Sequence, residues 1–272
     1  MTTPYQGKIA IVTGGTSGIG YVLSEELLRR GAIVWVIGSR EQSVEKAKKS
    51  LASYPGARFA AVDVRDNAAV GKMVRDCVSE CGRLDYLFNN AGISQENPYA
   101  ASSLADWKEM IDINLWGVIY GVNAALPVMR EQKSGHIINT SSVAALFGTP
   151  YQTLYVATKN AVIGLTDCLY YEYLPENISF TVVCPGNVDT PIFRGRTPEG
   201  AVPVDEAVRL ILDGVAKKER IVVFPDSMVE LLENCKDPVF RDMSHKQAEK
   251  DTREIFGSPE YRQFLAEQKK EA

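Results

Sequence analysis

The strongest constraint on the fold is a junction near the N-terminus. The β-branched run Ile9–Thr13 passes without a linker into Thr13-Gly14-Gly15-Thr16-Ser17-Gly18-Ile19-Gly20, and a helical pattern starts at about Ile19. Leu23, Leu27 and Leu28 fall on one face of that helix, which extends to Arg30. Strand, glycine turn and helix in direct succession begin a crossover connection, and crossovers join parallel strands. Six more short apolar runs follow: Ile33–Ile37, Phe59–Val64, Tyr86–Asn89, His136–Thr140, Phe180–Cys184 and Ile221–Phe224. Runs such as Ile33-Val34-Trp35-Val36-Ile37 are continuous rather than alternating, as expected when helices cover both faces of a sheet.

The pattern predicts an α/β fold: a Rossmann-type, doubly wound, parallel seven-stranded sheet spanning residues 1–225 as a single domain. Residues 226–272 change character. They are rich in charge, with apolar residues at helical spacing (Met228, Val229, Leu231, Leu232, then Tyr261, Phe264, Leu265), and are expected to form a helical extension packed on the same domain.

Charge and cysteine usage narrow the partners. Thirty basic and 34 acidic residues leave a net charge of -4, which supplies no field for nucleic acid or an anionic membrane. No stretch approaches the roughly 20 apolar residues of a spanning helix, and residues 1–7 lack a leader's basic flank and apolar run, so a cytoplasmic protein is expected. Cys77, Cys81, Cys168, Cys184 and Cys235 have no even spacing and are expected as packing or free thiols. No metal is expected: Cys77 and Cys81 stand one helical turn apart without further ligands.

The glycine-rich turn is the natural place for an anion. Backbone N–H groups and the positive end of the following helix can hold a pyrophosphate, with Gly14, Thr16, Ser17, Gly18, Ile19 and Gly20 around it; a tight turn with nothing bound is the alternative. At the tip of the second strand an acid would bind ribose hydroxyls and repel a 2′-phosphate. Here the sequence is Gly38-Ser39-Arg40: no carboxylate, a small residue that leaves room, and a hydroxyl and guanidinium able to hold phosphate. NADP is therefore expected over NAD, with Glu41 the dissenting residue.

From Thr13 to Thr190 the motifs resemble, in order and spacing, those of the classical short-chain dehydrogenase/reductase family. Thr13–Gly20 resembles its TGxxxGxG turn, Asp63-Val64 its adenine-contacting pair, and Asn89-Asn90-Ala91-Gly92 its NNAG element. Asn114 is similar to the catalytic asparagine, and Tyr155 and Lys159, with Ser142 thirteen positions before the tyrosine, form the YxxxK set. Pro185-Gly186-Asn187-Val188-Asp189-Thr190 resembles the loop that holds the nicotinamide carboxamide. The resemblance implies that Asp63, Val64, Asn90, Ala91, Gly92, Tyr155, Lys159, Pro185, Gly186, Val188 and Thr190 line the cofactor site, and that dimers or tetramers form through the helices near residues 114–130 and 155–174. The chain departs from the extended, epimerase-type branch in its glycine spacing, and it lacks the glycine-rich close that many members have after the last strand.

The residues also make chemical sense alone. Tyr155 and Lys159 are one helical turn apart, so the ammonium can reach the phenol and is expected to bring its pKa down toward the working range. Ser142 would hydrogen-bond a substrate oxygen. Asn114, if it breaks the long helix near Trp107–Val128, would hold a water linking Lys159 to solvent, as the resemblance implies. The expected activity is NADP-dependent interconversion of a secondary alcohol and a ketone or aldehyde. An NAD-dependent dehydrogenase, or a dinucleotide-binding sensor or scaffold without turnover, is the alternative. Neither His136 nor His245 is placed for a hydrolase. Residues 93–101, 143–151 and 190–202 should enclose the substrate, the last as a mobile lid. Ala144, Leu146, Phe147, Tyr151, Ile192 and Phe193 would offer a mostly apolar pocket, with only Arg194 and Arg196 as cations. A neutral, moderately hydrophobic substrate, steroid-like or polyketide, is expected.

Overall fold

Burial on both faces decides which runs become strands. In a computed structural model describing residues 4–193, 195–234, 250, 258–259 and 262–263, seven strands form one parallel sheet. They are β1 (Ile9–Thr13), β2 (Ile33–Gly38), β3 (Ala57–Ala61), β4 (Tyr86–Asn89), β5 (Gly135–Thr140), β6 (Ile178–Pro185) and β7 (Ile221–Phe224), in the spatial order β3-β2-β1-β4-β5-β6-β7. Every residue of β1 is buried, whereas the edge strand β3 is half-buried throughout. The order reverses between β1 and β4, where β1 neighbours both β2 and β4. A crevice opens at the strands' carboxyl ends at such a point.

The connecting helices are α1 (Gly18–Arg29), α2 (Glu41–Ser50), α3 (Asn67–Cys81), α4 (Leu104–Ile111), α5 (Gly117–Gln132), α6 (Thr153–Tyr173), α7 (Val204–Ala216) and α8 (Asp226–Asn234). One face of the sheet packs on α1 and α7 through Leu23, Leu27, Val208 and Ile211; the other packs on α3, α5 and α6 through Val70, Val74, Val122 and Val162. The tail begins as α8, with Met228 and Val229 half-buried. The rest of the expected extension, including Cys235, His245, Tyr261, Phe264 and Leu265, lies outside the described residues, as does Arg194.

Three expectations change. The third strand was expected to end with Asp63-Val64, but it stops at Ala61. The chain must turn there to reach α3, whose first N–H groups Asp66 caps, and Asp63 forms the turn by accepting from the Arg65 N–H at 3.0 Å. The long helix expected near 107–128 is broken by a π turn at Asp112–Trp116, centred on Asn114. The full run Leu104–Gln132 also reaches, by length and composition, what a spanning helix needs: an 18-residue window has mean hydropathy 1.2 and is 33 % buried. That apolarity serves packing on the sheet, with Val118, Val122, Ala125 and Met129 buried.

Candidate active site

The glycine-rich turn is shaped by close backbone approach. Gly14 has φ +65°, and a Cβ there would sit 2.9 Å from the Ala91 Cα; a Cβ on Gly20 would lie 2.3 Å from the Gly14 carbonyl oxygen. These contacts bring the β1 turn against the end of β4. Thr13 ties the knot: its hydroxyl accepts from the N–H groups of Asn90 and Ala91 at 3.0 and 3.1 Å, while the Asn90 amide donates to the Thr13 carbonyl at 3.1 Å. At the start of α1, Ser17 is extended and makes no side-chain cap, so N–H groups of the first turn face the crevice. The turn can hold a diphosphate. Thr190 reaches over it, its Cβ 3.3 Å from where a Gly18 Cβ would be.

At the tip of β2, Ser39, Arg40 and Glu41 are exposed. The Arg40 guanidinium makes no ion pair with any described residue. The room expected beside Gly38 is taken: a Cβ there would meet the Thr16 side chain at 2.6 Å. Any space for a 2′-phosphate therefore lies outward, at Ser39 and Arg40. Asp63 is engaged by Arg65 through both carboxylate oxygens, at 2.6 and 3.0 Å, and this guanidinium holds its carboxyl below the usual range. Val64 is buried against Gly117, where a Cβ would come within 2.9 Å of it.

The chemistry-bearing side chains meet at the ends of β4, β5 and β6. Asn114 is fully buried, and its amide clamps the Ile93 backbone, accepting from the N–H and donating to the carbonyl, each at 2.9 Å. It therefore fixes the loop after Gly92 and does not point its amide at Lys159. The two nonetheless flank one spot: a Cβ on Gly92 would lie 3.2 Å from the Asn114 Oδ1 and 3.4 Å from the Lys159 Nζ. Lys159, 4 % exposed, donates to the Thr140 carbonyl at 2.8 Å, and its Nζ stands 5.6 Å from the centre of the Tyr155 ring. Burial pulls this amine down to about 8.

Tyr155 is half-buried, with the Ser142 hydroxyl beside its phenol. Ser142 also accepts from the Ala144 N–H at 3.2 Å and lies 3.5 Å from the Pro185 carbonyl oxygen, which fixes its position. In the protein alone the balance at the phenol runs upward. Burial, the largest influence, raises its pKa, and the Ser142 hydroxyl opposes only part of that rise. The resting phenol is a neutral acid. Behind the pair the Cys184 thiol is pushed up to about 12 by burial, despite the nearby Lys159.

The loop after β6 leaves the crevice and returns to it. Gly186 donates to the Phe224 carbonyl at 2.8 Å, Val188 bridges Val202, and the Thr197 hydroxyl donates to Asp189 at 2.7 Å. Residues 189–193 and 195–201 thus lie on a loop pinned at its base, with Ile192 exposed. His136 lies at the opposite end of β5, buried and paired with the Thr181 hydroxyl at 2.8 Å; burial lowers it to about 3. Cys77 is buried in α3.

Two features escaped sequence reasoning. Asn89, Asn139 and Thr166 form a buried chain across β4, β5 and α6, with bonds of 2.9 and 3.0 Å. Adjacent asparagines inside otherwise apolar strands were the available signal. The second is a bond of 2.9 Å from the Gln152 amide to the Glu96 carboxylate, joining the loop after β4 to the start of α6.

Comparison with known proteins agrees with this geometry. The family model of the short chain dehydrogenases matches residues 8–200. The chain is 38% identical over 184 residues to a 3alpha-hydroxysteroid dehydrogenase of Mediterraneibacter gnavus, covering 66% of this chain and 74% of that one. It is 37% identical over 191 residues to a 3-oxoacyl-(acyl-carrier-protein) reductase of Chlamydia muridarum, covering 69% and 77%. Among solved structures, a short chain dehydrogenase/reductase from Burkholderia phymatum in complex with NAD superposes with a TM-score of 0.81 over 87% of this chain and 95% of that one; at 24% identity it speaks to the fold alone. ElxO with NADP bound superposes with a TM-score of 0.76 at 27% identity, over 83% and 100%. A glycine turn, a buried lysine beside a tyrosine and serine, and a matching family model over most of its length lead to one statement: the chain belongs to the short-chain dehydrogenase family of oxidoreductases.

Proposed function

We propose that the protein is an NADP(H)-dependent oxidoreductase that interconverts a secondary alcohol and a ketone or aldehyde. The observation that carries this reading is a chain of neighbours at the carboxyl end of the sheet: Asn114 and Lys159 flank Gly92, the Lys159 ammonium stands by the Tyr155 ring, and Ser142 lies beside Tyr155. Gly14, Thr16, Ser17, Gly18, Ile19 and Gly20 would hold the diphosphate; Asp63, Val64, Asn90 and Ala91 the adenosine; and Pro185, Gly186, Val188 and Thr190 the nicotinamide end. When bound, the nicotinamide supplies or accepts the hydride.

In this reading the protein's own groups manage the oxygen and its proton. The neutral Tyr155 phenol donates a proton to the carbonyl oxygen as charge develops there, and Ser142, held by Ala144 and Pro185, hydrogen-bonds the same oxygen. The Lys159 ammonium stabilises the phenolate left behind. Asn114, by clamping Ile93, keeps the Gly92 backbone beside Lys159 and anchors the route by which solvent returns the proton. Ser39 and the unpaired Arg40 support the phosphate-bearing cofactor. The exposed Trp116, stacked on Tyr120 at 5.6 Å, and the exposed Tyr171 and Leu174 on α6 and just beyond it support a homo-oligomer.

The test is loss of reduced-nicotinamide absorbance with NADPH and with NADH over a panel of neutral ketones and aldehydes. Turnover that prefers NADPH supports the reading. Saturable cofactor binding without turnover of any carbonyl or alcohol would favour a sensor instead.

A further inference from the structure

Sequence reasoning expects an apolar substrate pocket, yet a carboxylate and an amide are paired where the loop after Gly92 meets the start of the helix that carries Tyr155. Glu96 lies four residues beyond Gly92, on the loop that Asn114 clamps at Ile93. Gln152 precedes α6 and accepts its first helical bond, from the Val156 N–H at 2.8 Å. That places it at the N-cap of the helix that carries Tyr155, three residues before it. The two segments are stitched twice: the Asn97 N–H donates to the Tyr151 carbonyl at 2.9 Å, and the Gln152 amide donates to Glu96 at 2.9 Å. Tyr151 adopts φ +63° to make the first stitch, a left-handed conformation costly for an aromatic residue. Neighbours Gln95 and Asn97 line a small cavity with Ser102, Tyr151 and Leu154; neither Glu96 nor Gln152 does.

The pair has unused capacity. One N–H of Gln152 and one oxygen of Glu96 are engaged; the second N–H, the amide oxygen and the other carboxylate oxygen have no partner among the described residues. Both residues are half-buried. A polar group docking where the loop after Gly92 meets the start of α6 therefore finds two acceptors and one donor, one acceptor carrying negative charge.

We propose that Glu96 and Gln152 are specificity-determining residues that select a ketone or alcohol bearing a further hydroxyl group near the reacting carbon, and that disfavour substrates with a carboxylate or phosphate there. The hydroxyl donates to the Glu96 carboxylate and accepts from the free Gln152 N–H, while an anion meets like charge. The inference rests on Tyr155 marking the reacting carbon, as set out under the proposed function. A site built to hydrogen-bond a hydroxyl rejects the analogue lacking it far more strongly than an apolar pocket rejects an added group.

The experiment compares cyclohexanone with hydroxycyclohexanones whose hydroxyl lies next to the carbonyl or farther round the ring, for wild type, Glu96→Ala, Glu96→Gln and Gln152→Ala. The readout is the ratio of kcat/KM values, hydroxylated to plain, within each protein. A wild-type ratio of about ten or more for one isomer, carried mainly by KM, falling to near unity in Glu96→Ala and partly restored in Glu96→Gln, is expected. A ratio near unity in wild type, or one that survives both alanine substitutions, overturns the inference. Calorimetric binding of the matching diols and of cyclohexanol to the NADP-loaded Tyr155→Phe protein gives the same ratio without turnover. Should no ketone be reduced while diol binding still depends on Glu96, the oxidoreductase reading falls and the site stands. Equal binding of diols and cyclohexanol overturns the site on its own.

Discussion

Replacing Lys159 with methionine separates the cost of holding an ammonium in the crevice from the use made of it. The amine is 4 % exposed, and burial lowers it from the ordinary 10.5 to about 8. At about 1.36 kcal/mol per pH unit, a drop of that size disfavours the folded state by about 3 kcal/mol wherever the lysine is charged in both states, below about pH 8. Between about pH 8 and 10.5 the unfolded chain holds the extra proton, so stability rises with pH across that window. From pH ~7 to ~9 the wild type recovers about 1 kcal/mol through this group. Methionine removes the charge at similar length but leaves the Thr140 carbonyl without its donor, costing about 1–3 kcal/mol. The variant should match or exceed wild-type stability at pH ~7, by up to about 2 kcal/mol, and lose about 1 kcal/mol of that standing at pH ~9. Cys77, raised by burial, loses stability as pH rises through the ordinary thiol value, but does so in both proteins and cancels in the difference; Cys184, which Lys159 pulls down against burial, is held higher in the variant and adds to its loss at alkaline pH. Urea denaturation at the two pH values measures it. A variant destabilised equally at both would refute the claim that the fold carries a strained, buried ammonium.

The other expectations are more local. Arg40→Ala should weaken NADP binding about ten-fold or more while leaving NAD within about two-fold, read by cofactor fluorescence titration; equal losses would remove Arg40 from the 2′-phosphate. Gly92→Ala puts a methyl group 3.2 Å from the Asn114 Oδ1 and 3.4 Å from the Lys159 Nζ, so kcat should fall at least about ten-fold with Tm little changed; undiminished turnover would mean that these groups are not held in a set geometry. His136, lowered to about 3 by burial, contributes stability that is present above its unfolded value near 6.5 and is lost as pH falls toward 3. Wild type should therefore lose about 2 kcal/mol more than His136→Asn between pH ~7 and ~5 in denaturant titrations, and identical losses would contradict a buried neutral imidazole.

How much of this could be read in advance depends on the distance over which each cause acts. The glycine turn and the seven strands were legible because their signals are contiguous: a helix directly after a strand, and apolar runs of strand length. The end of β3 was not, since Phe59–Val64 looks like one strand and only the need to turn into α3 makes Asp63 a bend. The order of motifs along the chain identified Tyr155, Lys159, Ser142 and Asn114 as candidates. It could not weigh burial against charge, because the burial of the Tyr155 phenol is set only by the folded arrangement. The Asn89–Asn139–Thr166 chain and the Glu96–Gln152 pair join residues at least 27 positions apart, and only the folded arrangement of the sheet brings them into contact.

The central claim, that the phenol of residue 155 gives the substrate its proton, is tested by single-turnover reduction of a ketone by NADPH in wild type and Tyr155→Phe, with cofactor affinity measured in parallel. The account predicts unchanged NADPH binding and a reduction step slowed by about a hundred-fold or more. A variant that reduces the ketone at the wild-type rate would contradict it.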